Sequence, residues 1–546
     1  VSYGARLPDL PLAVLSRRPV ALPHRLSARI VAVRSVSMTP RTLPSLLGSL
    51  ALLPALASGA AQDFSEATIA SLHAALRDGS TTCRQVVSYY RERIESFDQP
   101  ARLNAIVVLA PDALAEADRV DALQRREHRL LPLHCVTVIV KDNYETKGLQ
   151  TAAGSLALKG FLPTHDATMV SLLKVAGAIV IAKSNMAEWA FSPYLTESSI
   201  AGVTRNPYDP SRVPAGSSGG TAAAVAAGFG AVGLGSDTGN SIRGPSSHTA
   251  LVGLRPSIGL TSRTGIVPLF ARNDVGGPMT RSVEDAAILM NVLAVPDPED
   301  PDSHYAANRR PKDYRASLDR KGLAGVRLGV FRRYVDTPST DPEIGQVFAQ
   351  ALKDLHAAGA EIVDPVDLPD YDALTRGIWC GDFAQDLEKY LRDRAPQAPV
   401  HSLQEVLASG LYLPANEALL RSAVAPPTDP EDRRTPCSSV YTDPPKEKLR
   451  QALNQVMRTQ RLDALVYPTW SNAPRRVGDL ESPAGDNSQI LSPQTGWPAI
   501  TVPMGVTHGS LPAGLTLFGP AFGESSLLRY AYAYEQATHH RHAPTL

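Results

Sequence analysis

Two stretches of small and hydroxyl-bearing residues could do chemistry. Residues 214–228 read PAGSSGGTAAAVAAG and residues 235–245 read GSDTGNSIRGP. They place Ser217, Ser218 and, two dozen residues on, Ser241 among glycines, with Lys141 upstream in the apolar run VIVKD at 138–142. Glycine permits left-handed backbone and close approach of main chain to a ligand. Free N–H groups at the start of a helix favour negative charge. Such a segment can cradle an anion or present a reactive hydroxyl. Three motif matches compete for it. Residues 216–220 fit the GxSxG elbow of α/β-hydrolases, but that elbow needs a strand before the serine, and NPYDP at 206–210 reads as a loop. Gly228, Gly230 and Gly233 fit GxGxxG, yet they follow a helix where a dinucleotide fingerprint follows a strand. No GxxxxGK[ST] occurs, which excludes a P-loop. What remains is Ser217, Ser218 and Ser241 with an upstream lysine.

That arrangement resembles the amidase signature family of serine hydrolases. The family's G-S-S-G-G-[ST], small-residue helix and G-[ST]-D-x-G-G-S-I-R are similar to residues 216–221 and 235–243. Its Lys-Asp at the end of an early strand is similar to Lys141–Asp142. Flanking blocks agree: AKSNMAE at 182–188, TRNP at 204–207, GLRP at 253–256, GGPM at 276–279, AITVP at 499–503 and LPAGL at 511–515. The likeness extends from about residue 64 to 538 and suggests a bacterial-type member of the peptide-amidase kind.

The resemblance implies a Ser–cisSer–Lys triad, with Ser241 as nucleophile, Ser217 as bridging serine on a cis peptide and Lys141 as base. It implies hydrolysis of an amide C–N bond through an acyl-enzyme, releasing ammonia or an amine, with no metal and no organic cofactor. Backbone N–H groups of Thr238, Gly239, Asn240 and Ser241 would hold the oxyanion, a role worth several kcal/mol per donor. Ser218, Asp237 and Arg243 would brace that loop. The physics is consistent with these roles. A serine needs a base, and no histidine lies inside either motif. A lysine serves only when neutral, so its reference pKa of about 10.4 must fall by roughly 3 units. Burial at the end of an apolar strand can do that. One position departs from the family: Asn240 stands where Gly is usual, and its side chain must clear the acyl group or the bridging serine.

These residues need a scaffold. Amphipathic patterns predict helices over 65–77, 83–96 and 112–127, the second opening with Thr82 and Gln85 at capping-box spacing. Apolar runs at 136–140, 178–182, 231–235, 326–331, 465–467, 500–502 and 514–518 predict strands separated by helices. The fold class is therefore α/β, with a large mixed central β-sheet flanked by helices on both faces. Residues 61–546 form a single amidase domain, and a variable helical insertion around 370–450 shapes the substrate region. Pro-rich stretches at 294–312 and 424–446 read as surface connections. Trp379, Tyr390, Trp470 and Trp497 are expected to line or cover the acyl pocket, favouring an apolar or aryl group.

Composition narrows the rest. Lys+Arg and Asp+Glu are both 54, so nothing favours a nucleic-acid partner. The four cysteines are scattered without a CxxC, which speaks against structural zinc. Residues 1–60 read as an extension plus a signal peptide at Met38–Ala60: a charged start ending at Arg41, an apolar run over 43–57 and an Ala55–Leu56–Ala57 end. That run is too short to cross a bilayer comfortably. Translation from Met38 with export to the periplasm or beyond is expected, residues 1–37 being an over-long start. Their acid-poor, Arg-rich character also fits a transit peptide. The expected substrate is a small-molecule or peptide amide, with no obligatory protein partner and a homodimer left open. Three rivals stand beside this reading. One is a Ser-His-Asp esterase using His248. Another is the ammonia-producing component of tRNA-dependent amidation, against which an export signal counts. The third is a non-catalytic binding protein.

Overall fold

The Val- and Ile-rich runs become strands of one eleven-stranded mixed sheet. The computed structural model describes residues 62–425 and 437–546. The expected extension and signal peptide, and part of the second Pro-rich stretch, lie outside the described residues. In chain order the strands are β1 (Ile106–Leu109), β2 (Thr137–Lys141), β3 (Ile179–Ser184), β4 (Glu197–Ser198), β5 (Gly202–Val203), β6 (Val232–Asp237) and β7 (Val252–Arg255). They continue with β8 (Val275–Thr280), β9 (Arg327–Phe331), β10 (Glu361–Val366), β11 (Ala464–Pro468), β12 (Ala499–Thr507) and β13 (Leu511–Phe518). The order across the sheet is β1-β3-β2-β6-β8-β7-β12-β13-β11-β9-β10, while β4 and β5 form a separate hairpin. β2 lies parallel to both β3 and β6. Lys141 and Asp237 therefore leave the same end of adjacent strands.

Helices flank the sheet. α1 (Ile69–Asp78), α2 (Cys83–Phe97) and α3 (Ala113–Glu127) match the predicted three. α1 starts later than its apolar pattern because Thr68 caps it, accepting from Ser71 N. α4 (Thr168–Val175), α5 (Gly219–Ala226), α6 (Arg243–His248), α7 (Val283–Leu293) and α8 (Pro342–Ala357) follow. α5 is buried along its whole length. Its small residues let it lie close to the sheet, and a Cβ at Gly233 on β6 would run into Thr221 and Val225.

The helical insertion supplies α9 (Tyr371–Thr375), α10 (Phe383–Asp393), α11 (Leu403–Ser409) and α12 (Glu417–Val424). Phe383, Leu387, Tyr390 and Leu391 of α10 share a core with Leu158, Met186 and Trp189 from the loops beside β2 and β3. α13 (Pro444–Gln460), α14 (Leu491–Thr495) and α15 (Glu524–Thr538) complete the chain.

Four sheet strands lay outside the sequence expectation, for physical reasons. β1 and β7 are only four residues long. β8 reads VGGPMT, and its glycines and proline look like a turn. β10 contains Pro365, which is tolerated because β10 is an edge strand. The scattered cysteines pair as Cys83–Cys135 and Cys380–Cys437. The first ties α2 to the entry of β2; the second joins the start of the insertion to its return. No described helix is long and apolar enough to cross a membrane.

Two closed disulfides predict that the unreduced protein, unfolded in denaturant, exposes no titratable thiol; four reactive thiols would contradict the pairing. The Cys83→Ala/Cys135→Ala pair should cost up to about 4 kcal/mol on unfolded-chain entropy, read from denaturant unfolding.

Candidate active site

β2 delivers Lys141 into a site with no solvent exposure. Its Nζ donates to Ser217 Oγ at 2.7 Å, to Ser236 Oγ at 2.9 Å and to Ser236 O at 3.3 Å. Asn143 Nδ2 donates to Ser236 Oγ at 3.0 Å, so the amide orients the hydroxyl that the lysine contacts. No carboxylate lies within ion-pair distance of Lys141 among the described residues. Burial pushes the lysine down to about 7, against the opposing pull of Asp237 and Asp274.

The backbone before α5 places Ser217. The Gly216–Ser217 peptide is cis, and Ala215 takes φ 65°. A side chain at Gly216 would strike the carbonyls of Ser192 and Leu195, so only glycine fits. Ser217 O accepts from Ala187 N at 3.0 Å, linking this loop to the block after β3. Ser218 Oγ donates to Ser236 O at 3.1 Å. The bare face of Gly235 lets the two serine segments meet: its absent Cβ would lie 3.1 Å from Ser218 Oγ and 3.0 Å from Ile242 Cγ1.

The loop after β6 has the character of an anion cradle. None of the N–H groups from Thr238 to Ser241 has an acceptor among the described residues. Ser241 is 4% exposed, and its hydroxyl has no hydrogen-bond partner within those residues. Asp237 braces the loop from beneath. Its Oδ2 accepts from Ile242 N and from Arg243 Nε, each at 3.1 Å, and its Oδ1 accepts from Arg255 Nη1 at 3.0 Å. Arg243 Nη2 also donates to Gly239 O at 2.7 Å and to Ser488 O at 3.1 Å. Burial alone would raise the Asp237 carboxyl, but the two guanidinium groups hold it at about 2. Asp237 thus stays charged at every working pH. Its stabilising effect is complete above the ordinary carboxylate range and is lost only as pH falls toward 2.

Lys141 at the end of β2 and Ser217 just before α5 are in direct contact, and the loop from Thr238 to Ser241 leaves the same end of the adjacent strand β6. Ser236, Asn143, Arg255 and Asp274 also belong to this neighbourhood, although no sequence reading singled them out. Ser236 and Asn143 each adjoin a flagged acid, Asp237 and Asp142, and that adjacency was the available signal. A second buried lysine, Lys183, donates to Tyr144 O at 2.7 Å and to Thr151 Oγ1 at 2.9 Å. It lies 3.8 Å from Asp142, whose Oδ2 accepts from Gly154 N at 3.0 Å, so this pair holds the loop leaving β2.

Several expectations change. His248 is no base: it stacks on Trp470 with centroids 4.8 Å apart, and burial drives it down to about 3. Trp470 is 2% exposed and donates to Gly244 O at 3.1 Å, bracing α6. Trp497 stacks on Phe518 in the core, and Tyr390 is buried on the packed face of α10. Trp379 is half-buried, 6.1 Å from Phe270. The Asn240 side chain lies against Gly244, where any Cβ would collide with it.

Comparison with known proteins agrees with this geometry. The Amidase family model matches residues 85–528. The native peptide amidase of Stenotrophomonas maltophilia is 36% identical and superposes with a TM-score of 0.78, covering 88% of this chain and 99% of that one. An amidase family protein of Bacillus anthracis is 32% identical, with a TM-score of 0.76 over 88% of this chain and 92% of its own. A glutamyl-tRNA(Gln) amidotransferase subunit from Myxococcus xanthus is 36% identical over 490 residues, 86% of this chain and 96% of its own. Fold and family together define an amide C–N hydrolase. The chain belongs to the amidase signature family.

Asp237→Asn should leave Arg243 and Arg255 buried without their shared counter-charge. The expected loss is about 3–5 kcal/mol of stability, measured by denaturant unfolding. An unchanged midpoint would show that the brace is dispensable.

Proposed function

We propose that the enzyme hydrolyses carboxylic amides, peptide amides foremost, with Ser241 as nucleophile, Ser217 as proton bridge and Lys141 as base. One observation carries this reading: a fully buried lysine, free of any carboxylate ion pair among the described residues, whose Nζ meets Ser217 Oγ at 2.7 Å. At neutral pH that lysine is substantially unprotonated. Neutral Nζ accepts the Ser217 proton while Ser217 takes the proton of Ser241, whose Oγ bonds the carbonyl carbon. The developing oxyanion receives hydrogen bonds from backbone N–H groups between Thr238 and Ser241. The lysine ammonium then returns the proton through Ser217 to the leaving nitrogen as the C–N bond breaks. Water attacks the acyl-enzyme by the reverse relay and releases the acid. No step calls for a metal or organic cofactor. The open Ser241 hydroxyl is compatible with the relay, since catalytic hydrogen bonds often close only around substrate.

Peptide amides are favoured as substrates by the close structural agreement with peptide amidase. Export through the signal peptide at Met38–Ala60 is part of the same proposal. Two disulfides support it, because such bonds persist in oxidising compartments. They weigh equally against an intracellular amidotransferase component, so the enzyme acts without an obligatory partner.

Ser241→Ala should abolish both turnover and labelling by a fluorophosphonate while leaving the fold intact. For the wild type, kcat/KM should rise with pH through about 7 and then level, since the unprotonated lysine is the active form. Lys141→Ala should remove that limb and harm amides more than esters, because an alkoxide leaves without the proton an amine requires. Lys141→Arg should not rescue, since a guanidinium stays protonated. A limb that survives in Lys141→Ala would overturn the assignment.

A further inference from the structure

We propose that Asp274 is a positioning residue for the reaction, holding the oxyanion loop through the Thr238 hydroxyl and fixing it to the loop at 268–270. The inference rests on the reading of Lys141 and the Thr238–Ser241 loop given above. Asp274 immediately precedes β8, which pairs antiparallel with β6 so that Val275 lies opposite Asp237. This register sets the Asp274 carboxylate beside Thr238, the first residue of the loop. Oδ1 accepts from Thr238 Oγ1 at 2.5 Å and from Phe270 N at 3.3 Å, and Oδ2 accepts from Leu269 N at 2.9 Å. One carboxylate thus joins the nucleophile's loop to a second loop whose Phe270 ring covers Gly381, next to the Cys380–Cys437 bridge.

The group is 6% exposed and forms no ion pair among the described residues. Neighbouring charges are already engaged. Arg255 is held by Asp237, and Arg272 pairs with Asp386. A buried carboxylate satisfied only by hydrogen bonds is costly where mere turn geometry is needed. Its charge also reaches the base. The groups facing Lys141 are the hydroxyls of Ser217 and Ser236, with Asp237 and Asp274 beyond them. Asp237 is compensated by two arginines, whereas Asp274 has only hydrogen-bond donors and, further off, Arg255 and Asp386. Burial lifts the Asp274 carboxyl to about 6, close to the range in which Lys141 titrates, so the two groups titrate as a coupled pair.

The two functions separate experimentally. The probe is the full-length enzyme's second-order inactivation rate with a fluorophosphonate, followed across pH. Asp274→Asn removes the charge and one acceptor. The rate should fall roughly 10- to 100-fold, as for a displaced oxyanion donor. Its pH limb should move to lower pH, because the lysine loses an anionic neighbour. Thr238→Val leaves the carboxyl in place and breaks the tether, so it should show the rate loss with a smaller movement of the limb than Asp274→Asn. An Asp274→Asn protein that reacts within twofold of wild type on an unshifted limb overturns the proposal. If that variant fails to fold, Thr238→Val decides alone, and a full rate there overturns it. A limb persisting in Lys141→Ala would sink the base assignment instead, while the Thr238→Val rate would still judge the tether.

Discussion

The structure depends on keeping one lysine dry without giving it a counter-ion. Moving Lys141 from its ordinary value to about 7 corresponds to roughly 5 kcal/mol of disfavoured charge. A carboxylate at contact distance would relieve that cost and return the lysine to its protonated form. The fold surrounds Nζ with hydroxyl and carbonyl oxygens instead, from Ser217 and Ser236. These satisfy its hydrogen bonds without neutralising its charge. β2 is buried at every position, and α5, made of small residues, closes over the strands beside it. The small residues of the two serine motifs serve this desolvation as much as they serve chemistry.

Acids are nonetheless present close by, and each is handled differently. Asp237 is needed to shape the loop bearing Ser241; Arg243 and Arg255 pair with it, and the part of its charge that still reaches the lysine is outweighed by burial. Asp142 follows the lysine directly but is turned toward Lys183 and the amides of Ala152 and Gly154. Asp274 forms no ion pair among the described residues, and its charge, like that of Asp237, pulls on Lys141. The site thus combines strong local order with a modest net potential at Nζ, and modest potential is the condition for a lysine base at neutral pH.

Sequence patterning revealed the central strands and the chemistry, because both are written in local spacing. β2, β3 and β6 are unbroken apolar runs, and the lysine and serines sit in short, dense motifs. Strands interrupted by glycine or proline, such as β8 and β10, carry no such period, and only sheet neighbours define them. The disulfides were illegible for the same reason: Cys83 and Cys135 are 52 residues apart, and their meeting is a product of the fold. His248 shows the opposite error. It lies seven residues from Ser241 in sequence, yet a short helix and a stacked indole turn it away from the chemistry.

The helical segment around 370–450 is attached to the sheet framework by two kinds of contact. Its apolar face meets the loops around Leu158 and Trp189, a contact that any amphipathic helix could make. Its position is fixed by carboxylates at three separate points. Glu188 accepts from Leu413 N at 2.9 Å and from Asn416 Nδ2 at 2.8 Å. Asp386 accepts from Ala271 N at 2.9 Å, and Arg394 pairs with Glu145 at 2.9 Å. Glu188 and Glu145 belong to the framework beside the lysine, while Asp386 and Arg394 belong to the insertion. Directional bonds of this kind set orientation, whereas apolar burial sets only proximity. Those three points therefore fix how the helical segment is oriented on the framework that carries Lys141.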